Sequence, residues 1–248
     1  AESGGQAGDT GVIIGTGFSV RVLDTRKHAG LTAHHCKVTE GTVSVDDVAE
    51  LVPDIDNRSA TRRNHTATHI LHSTLRRVIG GHVRQAGSLV DPRGLRFDFT
   101  HFESLDEETL GRIEAEANMA LLANIEVKTD VIPYKEAIER GALAFFDEKY
   151  GDLVRMVQVA GVSAELCGGT HVNRTGDIGL IKITGESSVA AGVRRLEAVT
   201  GEVAFKSVAK NDALLREASL MLKVPRHGVP EKIKRLIDNQ RSLEKEIE

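Results

Sequence analysis

Two short stretches, far apart in the chain, hold side chains of the kinds that bind a soft divalent metal. The first is His65-Thr66-Ala67-Thr68-His69, and the second is Cys167-Gly168-Gly169-Thr170-His171. Around the first, Ile70, Leu71, Leu75, Val78 and Ile79 recur at helical spacing until Gly80-Gly81. Asn64 is the expected N-cap of that helix. Positions four apart share one helix face, with Cβ atoms about 5–6 Å apart, so both imidazoles can reach one ion. His72 falls on a neighbouring face and reads as a spectator. In the second stretch the glycines permit a sharp turn, which lets Cys167 and His171 curl toward a common point. One thiolate with three imidazoles suits Zn2+, a borderline-soft tetrahedral ion. Alone, each pair has a plainer reading: core or surface histidines for the first, a glycine-rich turn for the second. Together they point to metal, because the chain has two cysteines and one stands at ligand spacing from a histidine. Peptidases of the H-E-x-x-H type carry a general base between their histidines. Here Thr66-Ala67-Thr68 fills that place, which argues against peptide hydrolysis by that route.

The elements that must position these groups read as α+β in three parts: residues 1–56, 57–200 and 201–248. In the first, Val12–Ile14, Phe18–Val22 and Thr42–Val45 are short strands with glycine and aspartate turns, expected to pack as a small N-terminal β-barrel. Gly4-Gly5-Gln6 is similar to the ester-hydrolysing tripeptide of translation release factors, but reads first as a loop leading into a strand. His34-His35-Cys36 lies in a strand pattern, where neighbours point to opposite faces, so it reads as surface and core rather than as ligands. Pro53 to Asn57 reads as a linker.

The central part mixes helices and strands. His82–Val90 is an expected strand with Val83, Gln85, Gly87 and Leu89 on one face. Gln85 is then a polar group on an apolar face and needs a partner or a pocket. After an Asp91–Gly94 turn, Leu95, Phe97 and Phe99 share the core face of the next strand, with Arg96 and Asp98 expected to pair on the other. A helix over 106–123, capped by Ser104 with Glu107, follows. Then come a strand (126–132), a short helix (134–140), a strand (153–160) feeding the cysteine loop, and strands at 178–184 and 194–199. The third part is helical, broken by Pro225 and Pro230. Ile233, Leu236, Ile237, Leu243 and Ile247 make a narrow apolar stripe, as in a helix that packs on a partner.

Composition sets limits. Forty per cent of the 248 residues are apolar and 27% charged, which is ordinary for a water-soluble chain with a sizeable core. No apolar run approaches the ~18 residues of a membrane span. No signal-peptide pattern is present, and the start at Ala1-Glu2-Ser3-Gly4, without Met, suggests a piece of a longer protein. Two cysteines, one committed to metal, fit a reducing, cytoplasmic compartment. A net charge of −4 leaves polyanion binding open, since that needs only a local basic surface. Arg62 and Arg63 before the His helix, Arg76 and Arg77 after it, and Arg194 and Arg195 are the candidates for holding phosphates.

Several motifs, in this order along nearly the whole chain, carry a family resemblance. They are Glu2-Ser-Gly-Gly-Gln-Ala-Gly-Asp-Thr-Gly11, Asn64-His-Thr-Ala-Thr-His-Ile-Leu-His72, Gly87-Ser-Leu-Val-Asp91, Arg96-Phe-Asp-Phe99, Glu148-Lys-Tyr-Gly-Asp152, Glu165-Leu-Cys-Gly-Gly-Thr-His-Val172 and Ala190-Ala-Gly-Val-Arg-Arg-Leu-Glu-Ala-Val-Thr-Gly201. Together they resemble the editing region of bacterial alanyl-tRNA synthetase. That resemblance implies a central editing core of the second-additional-domain type shared by threonyl- and alanyl-tRNA synthetases. It implies zinc on His65, His69, Cys167 and His171, and hydrolysis of Ser-tRNA(Ala) and Gly-tRNA(Ala), with Gln85 at a position implicated in the editing pocket. Implied partners are the acceptor end of tRNA(Ala) and the aminoacylation and C-terminal domains of a full-length enzyme, with a homodimer through the C-terminal region.

Such a site answers a selectivity problem. A pocket for alanine rejects an added hydroxyl only ~100-fold, so a second, hydrolytic site must accept serine and refuse alanine. A buried group that pairs with the serine hydroxyl does so, because alanine leaves it unpaired. Gln85, Thr66 and Thr68 are candidates for that reading, and Thr170 with the glycine N–H groups for stabilising an oxyanion. A catalytically silent, zinc-stabilised tRNA-binding module, or a free-standing editing protein, are the competing readings.

Overall fold

The computed structural model describes residues 5–28, 31–144 and 151–247. The motifs that begin at Glu2 and Glu148 therefore lie partly outside the described residues. The chain is α+β and divides into two compact units, 1–203 and 204–248.

Unit 1 opens with a four-stranded antiparallel sheet. Its strands are β1 (Gly11–Gly15), β2 (Phe18–His28), β3 (Leu31–Glu40) and β4 (Ala49–Pro53), in the order β3-β2-β1-β4. Alternate residues Phe18, Val20 and Val22 of β2 are buried, as one covered face requires. Where a barrel was expected, the strands form a sheet with β3 and β4 as its outer members. Thr42–Val45, an expected strand, is irregular; Val45 is exposed and has no layer to pack against.

Helix α1 (Ile55–Val78) begins ten residues earlier than Asn64 as cap implies, because Asp54 is the N-cap. Its carboxylate accepts from the Asn57 N–H at 3.0 Å. The expected linker at 53–57 is thus a strand end and a helix start. Asn64 sits mid-helix and buried, donating to the Asp91 carbonyl (2.7 Å) and accepting from the Thr200 hydroxyl (2.6 Å). It staples the helix to the sheet beneath.

That sheet comprises β5 (Gln85–Asp91), β6 (Gly94–Thr100), β10 (Ile181–Ala190) and β11 (Val193–Thr200), in the order β10-β11-β6-β5. Ile70, Leu71 and Leu75 of α1, Leu95, Phe97 and Phe99 of β6, Leu196 of β11, and Ile113 and Ala117 of α2 (Glu107–Leu122) make one core. Each large apolar side chain buried there contributes about 1.5–3 kcal/mol. The alternation expected for β5 breaks at Ala86. Gln85 is opposite Phe99 and Gly87 opposite Asp98, so one residue bulges, and Val90 rather than Leu89 turns inward. Asp98 pairs with Arg195 (2.7 and 2.8 Å) across the β6–β11 ladder, not with Arg96. For α2 the cap is Asp106, accepting from the Thr109 N–H, instead of Ser104.

A third antiparallel sheet, β7 (Val127–Pro133), β8 (Leu153–Val159) and β9 (Ser163–Leu166), carries the short helix α3 (Tyr134–Glu139). Ala137, Val154, Met156 and Leu166 form its small core. β9, absent from the sequence reading, turns back from β8 through Gly161 at φ +70° and delivers the cysteine loop.

Helix α4 (Gly201–Leu222) runs from the end of unit 1 into unit 2, and α5 (Val229–Ile247) completes it. Pro225 lies between them. Pro230 sits in the first turn of α5, where its missing N–H has no partner to lose. Ile233, Leu236, Ile237, Leu243 and Ile247 are exposed along α5. Among the described residues, no helix is long and apolar enough to cross a membrane.

Candidate metal centre

The two distant stretches meet. His65 and His69 project from α1, Cys167 and His171 from the loop after β9, and all four are buried. One donor atom from each lies within 4.8 Å of every other. The three rings surround one point, with centroids 5.3, 4.6 and 5.0 Å apart. Cys167 Sγ lies 3.3 Å from His65 Nε2 and accepts from the Gly169 N–H at 3.4 Å. Gly169 must lack a side chain here, since a Cβ would overlap the His65 ring.

The outer nitrogen of each ring is occupied. His65 Nδ1 meets Gln6 Oε1 at 2.9 Å, His69 Nδ1 meets Glu165 Oε2 at 2.6 Å, and His171 Nδ1 meets Thr66 Oγ1 at 3.2 Å. A carboxylate can only accept, so His69 Nδ1 carries hydrogen. Thr66 gives its one proton to the Arg62 carbonyl (3.0 Å) and accepts from His171. The inner Nε2 atoms of His69 and His171 are buried and have no hydrogen-bond partner among the described residues. Buried polar atoms are normally paired. Two unpaired ring nitrogens beside a thiol, each ring oriented from behind by an acceptor, are what a bound cation needs. The residues present fit zinc, whose preferred ligands are sulfur and imidazole in a four-coordinate set.

Electrostatics agree. Burial pushes the Cys167 thiol up, but the positive His69 ring and the adjoining His171 and His65 imidazoles override it and hold the thiol down, at about 2. Burial and the neighbouring His69 and His65 lower His171 to about 3, against the pull of Cys167. Burial alone lowers His69, but Glu165 and Cys167 outweigh it and push this ring well above its ordinary value. Glu165, raised by burial, is held well below the carboxylate range by His69 and His72. The cluster thus favours anionic sulfur and one positive charge at its centre.

Three residues that sequence reasoning missed frame this centre. Glu165 bridges His69 and His72, which donates from Nδ1 to Oε1 at 3.0 Å. His72 is therefore no spectator, although it is not a ligand. Gln6 reaches the site from the other end of unit 1. Arg155 holds the cysteine loop, donating to the Cys167 and Gly169 carbonyls at 2.7 Å each. Glu165 had a signal: it stands two residues before Cys167, near the end of the strand that delivers the cysteine loop, and a buried carboxylate needs partners. Gln6 was marked only as part of Gly4-Gly5-Gln6 and the Glu2–Gly11 motif, and nothing in its spacing tied it to this centre, since its bond to Thr170 spans 164 positions.

The other candidates fall in varied places. Thr66 accepts from the Val172 N–H (3.1 Å) besides its bonds to Arg62 and His171, so its hydroxyl braces the loop. Thr68 donates back to the Asn64 carbonyl at 2.9 Å. Thr170 donates to Gln6 through both N–H and O–H. Gln85 is half-buried at the start of β5 and donates to Ser88 Oγ at 3.3 Å; a Cβ at Gly5, beside Gln6, would strike that same Ser88. Arg62 donates to the His171 carbonyl (2.6 Å) and Asn173. Arg76 holds the Val83 carbonyl, Arg77 pairs with Glu116, Arg194 with Glu186 and Arg195 with Asp98. Arg63 is half-buried, and its Nε has no partner among the described residues. A groove of about 330 Å³ lined by Asp91, Arg93, Arg96, Thr184 and Glu197 contains none of the four donors.

Residues 154–197 match the family described as "Threonyl and Alanyl tRNA synthetase second additional domain". That span includes Cys167 and His171. Over 251 aligned residues the chain is 48% identical to an alanine–tRNA ligase of Solibacter usitatus. Over 248 it is 50% identical to that of Carboxydothermus hydrogenoformans. Both matches cover all of this chain and 28% of the relative. The chain is similar to bacterial alanine–tRNA ligases along its entire length. It spans about 28% of the length of these curated relatives. Alanine–tRNA ligase of Bordetella avium shows the same coverage at 48% identity.

Proposed function

We propose that this chain hydrolyses the ester bond of mischarged tRNA(Ala), releasing serine or glycine, with zinc held by His65, His69, Cys167 and His171. The observation that carries this reading is the buried four-donor cluster, built into a chain similar throughout to alanine–tRNA ligases. When bound, zinc supplies a fixed positive charge for the amino group or ester oxygen of the substrate. The chain's own residues do the rest. Glu165 and Thr66 keep two imidazoles aimed inward, and Arg62 and Arg155 hold the loop that carries Cys167 and His171. In this reading Gln85 pairs with the serine hydroxyl and places the water, the Gly168 amide stabilises the developing oxyanion, and Thr170, whose N–H and O–H both go to Gln6, holds the loop in place. Thr68 lends its lone pairs to the same pocket.

The acceptor end of tRNA(Ala) and the other domains of a full-length ligase are the proposed partners, and the exposed stripe on α5 is the proposed seam of a homodimer. Phosphates are assigned to Arg62, Arg63, Arg76, Arg77, Arg194 and Arg195.

One observation favours a second reading. All four donors point at one centre, the pattern of a closed structural zinc site, which a silent tRNA-binding module would share. Serine release from Ser-tRNA(Ala), with Ala-tRNA(Ala) as control, separates them. Hydrolysis of the first only is expected. Binding of both without release would favour the silent module. Cys167→Ala should abolish serine release; full activity without bound metal would remove the cluster from the chemistry.

A further inference from the structure

Thr170 offers its backbone N–H at 2.8 Å and its hydroxyl at 2.9 Å to one atom of the buried Gln6 side chain. A backbone N–H can only donate, so that atom is the amide oxygen, which fixes which way Gln6 faces. The same oxygen lies 2.9 Å from His65 Nδ1. An oxygen cannot donate, so His65 Nδ1 carries the hydrogen and its lone pair sits on Nε2, the nitrogen 3.3 Å from Cys167 Sγ. One acceptor therefore ties the α1 half of the cluster to the loop half.

We propose that Gln6 is a positioning residue for the metal centre, holding His65 in the tautomer that presents Nε2 to the ion and docking Thr170 against it. This rests on the metal reading above and deepens it. The backbone places Gln6 for the task. Ala7 N–H donates to the Val90 carbonyl (2.8 Å) and Val90 N–H to the Gly5 carbonyl (2.9 Å), so residues 5–7 add to the β5 edge. Gly5 stands at φ +77°, and a Cβ there would collide with Ser88, so close apposition to β5 needs glycine. The other half of the Gln6 amide, Nε2, is buried and has no partner among the described residues. A buried donor left unpaired costs stability. The site keeps this amide for what its oxygen does.

The test compares wild-type chain with Gln6→Met, which keeps the length and removes the oxygen, and Gln6→Glu, which keeps an oxygen acceptor. Zinc affinity is read by competition with a chromophoric chelator, and Co2+ spectra report the ligand field. Gln6→Met is expected to weaken zinc binding by roughly 10–100-fold, the usual effect of losing such a partner, with an altered Co2+ spectrum. Gln6→Glu is expected to restore both. Wild-type affinity in Gln6→Met, or no recovery in Gln6→Glu, overturns the proposal. A second measurement needs no variant: two-bond 15N–1H spectra of the zinc-loaded wild type should show His65 protonated at Nδ1 and bound through Nε2. Ligation through Nδ1 also overturns it. A wild-type chain that binds no zinc defeats the metal reading itself, and is distinguished by that control.

Discussion

Glu165 shows at the scale of single residues how the centre is kept in order. A buried carboxylate costs free energy unless its lone pairs are used, and here both oxygens accept, from His69, His72 and Ser163. Glu165→Gln keeps the shape but turns one acceptor into a donor facing a ring N–H. Its zinc affinity is expected to fall about 10–100-fold in a chelator competition; unchanged affinity would mean that His69 is oriented by packing alone. Thr66→Val removes the acceptor for the Val172 N–H and His171. We expect a loss of about 1–3 kcal/mol in urea unfolding, the cost of stranding buried donors. The four clustered donors were legible in the sequence because few residue types bind soft metals and the chain has only two cysteines. The bonds that orient them were not: Gln6 and Thr66 stood out in other roles, and nothing linked Gln6 to His65. Such a partner is fixed by tertiary proximity, which leaves no spacing to read.

Among the elements, α1 was legible from its apolar period but not at its start. Asp54, not Asn64, caps the helix, and a buried Asn within a helix cannot be told from a cap by composition. Asp54→Ala is expected to cost about 1 kcal/mol in thermal unfolding, with zinc affinity unchanged, because the cap lies three turns from His65. Gly169→Ala is the opposite case: its Cβ would overlap the His65 ring, so zinc binding should be lost while the sheets remain, as circular dichroism would show. The bulge at Ala86 was hidden because it inserts one residue into an otherwise regular alternation, which moves Val90 to the core face. β6 was readable since Leu95, Phe97 and Phe99 keep strict period two.

For the whole molecule, every proposed ligand and every partner that orients it lies in unit 1. The α5 stripe lies in unit 2, and its period was plain in the sequence although nothing in the residue types names its partner. The alanine–tRNA ligase relatives account for the order of motifs along the chain, and the fold explains their spacing: β9 and its loop must return to a helix laid down about a hundred residues earlier. The central claim is that these distant segments close on one zinc ion. X-ray absorption at the zinc edge of the purified chain tests it. One zinc per chain is expected, with one sulfur near about 2.3 Å and three nitrogens near about 2.0–2.1 Å. No bound zinc, or a zinc shell without sulfur, would contradict it.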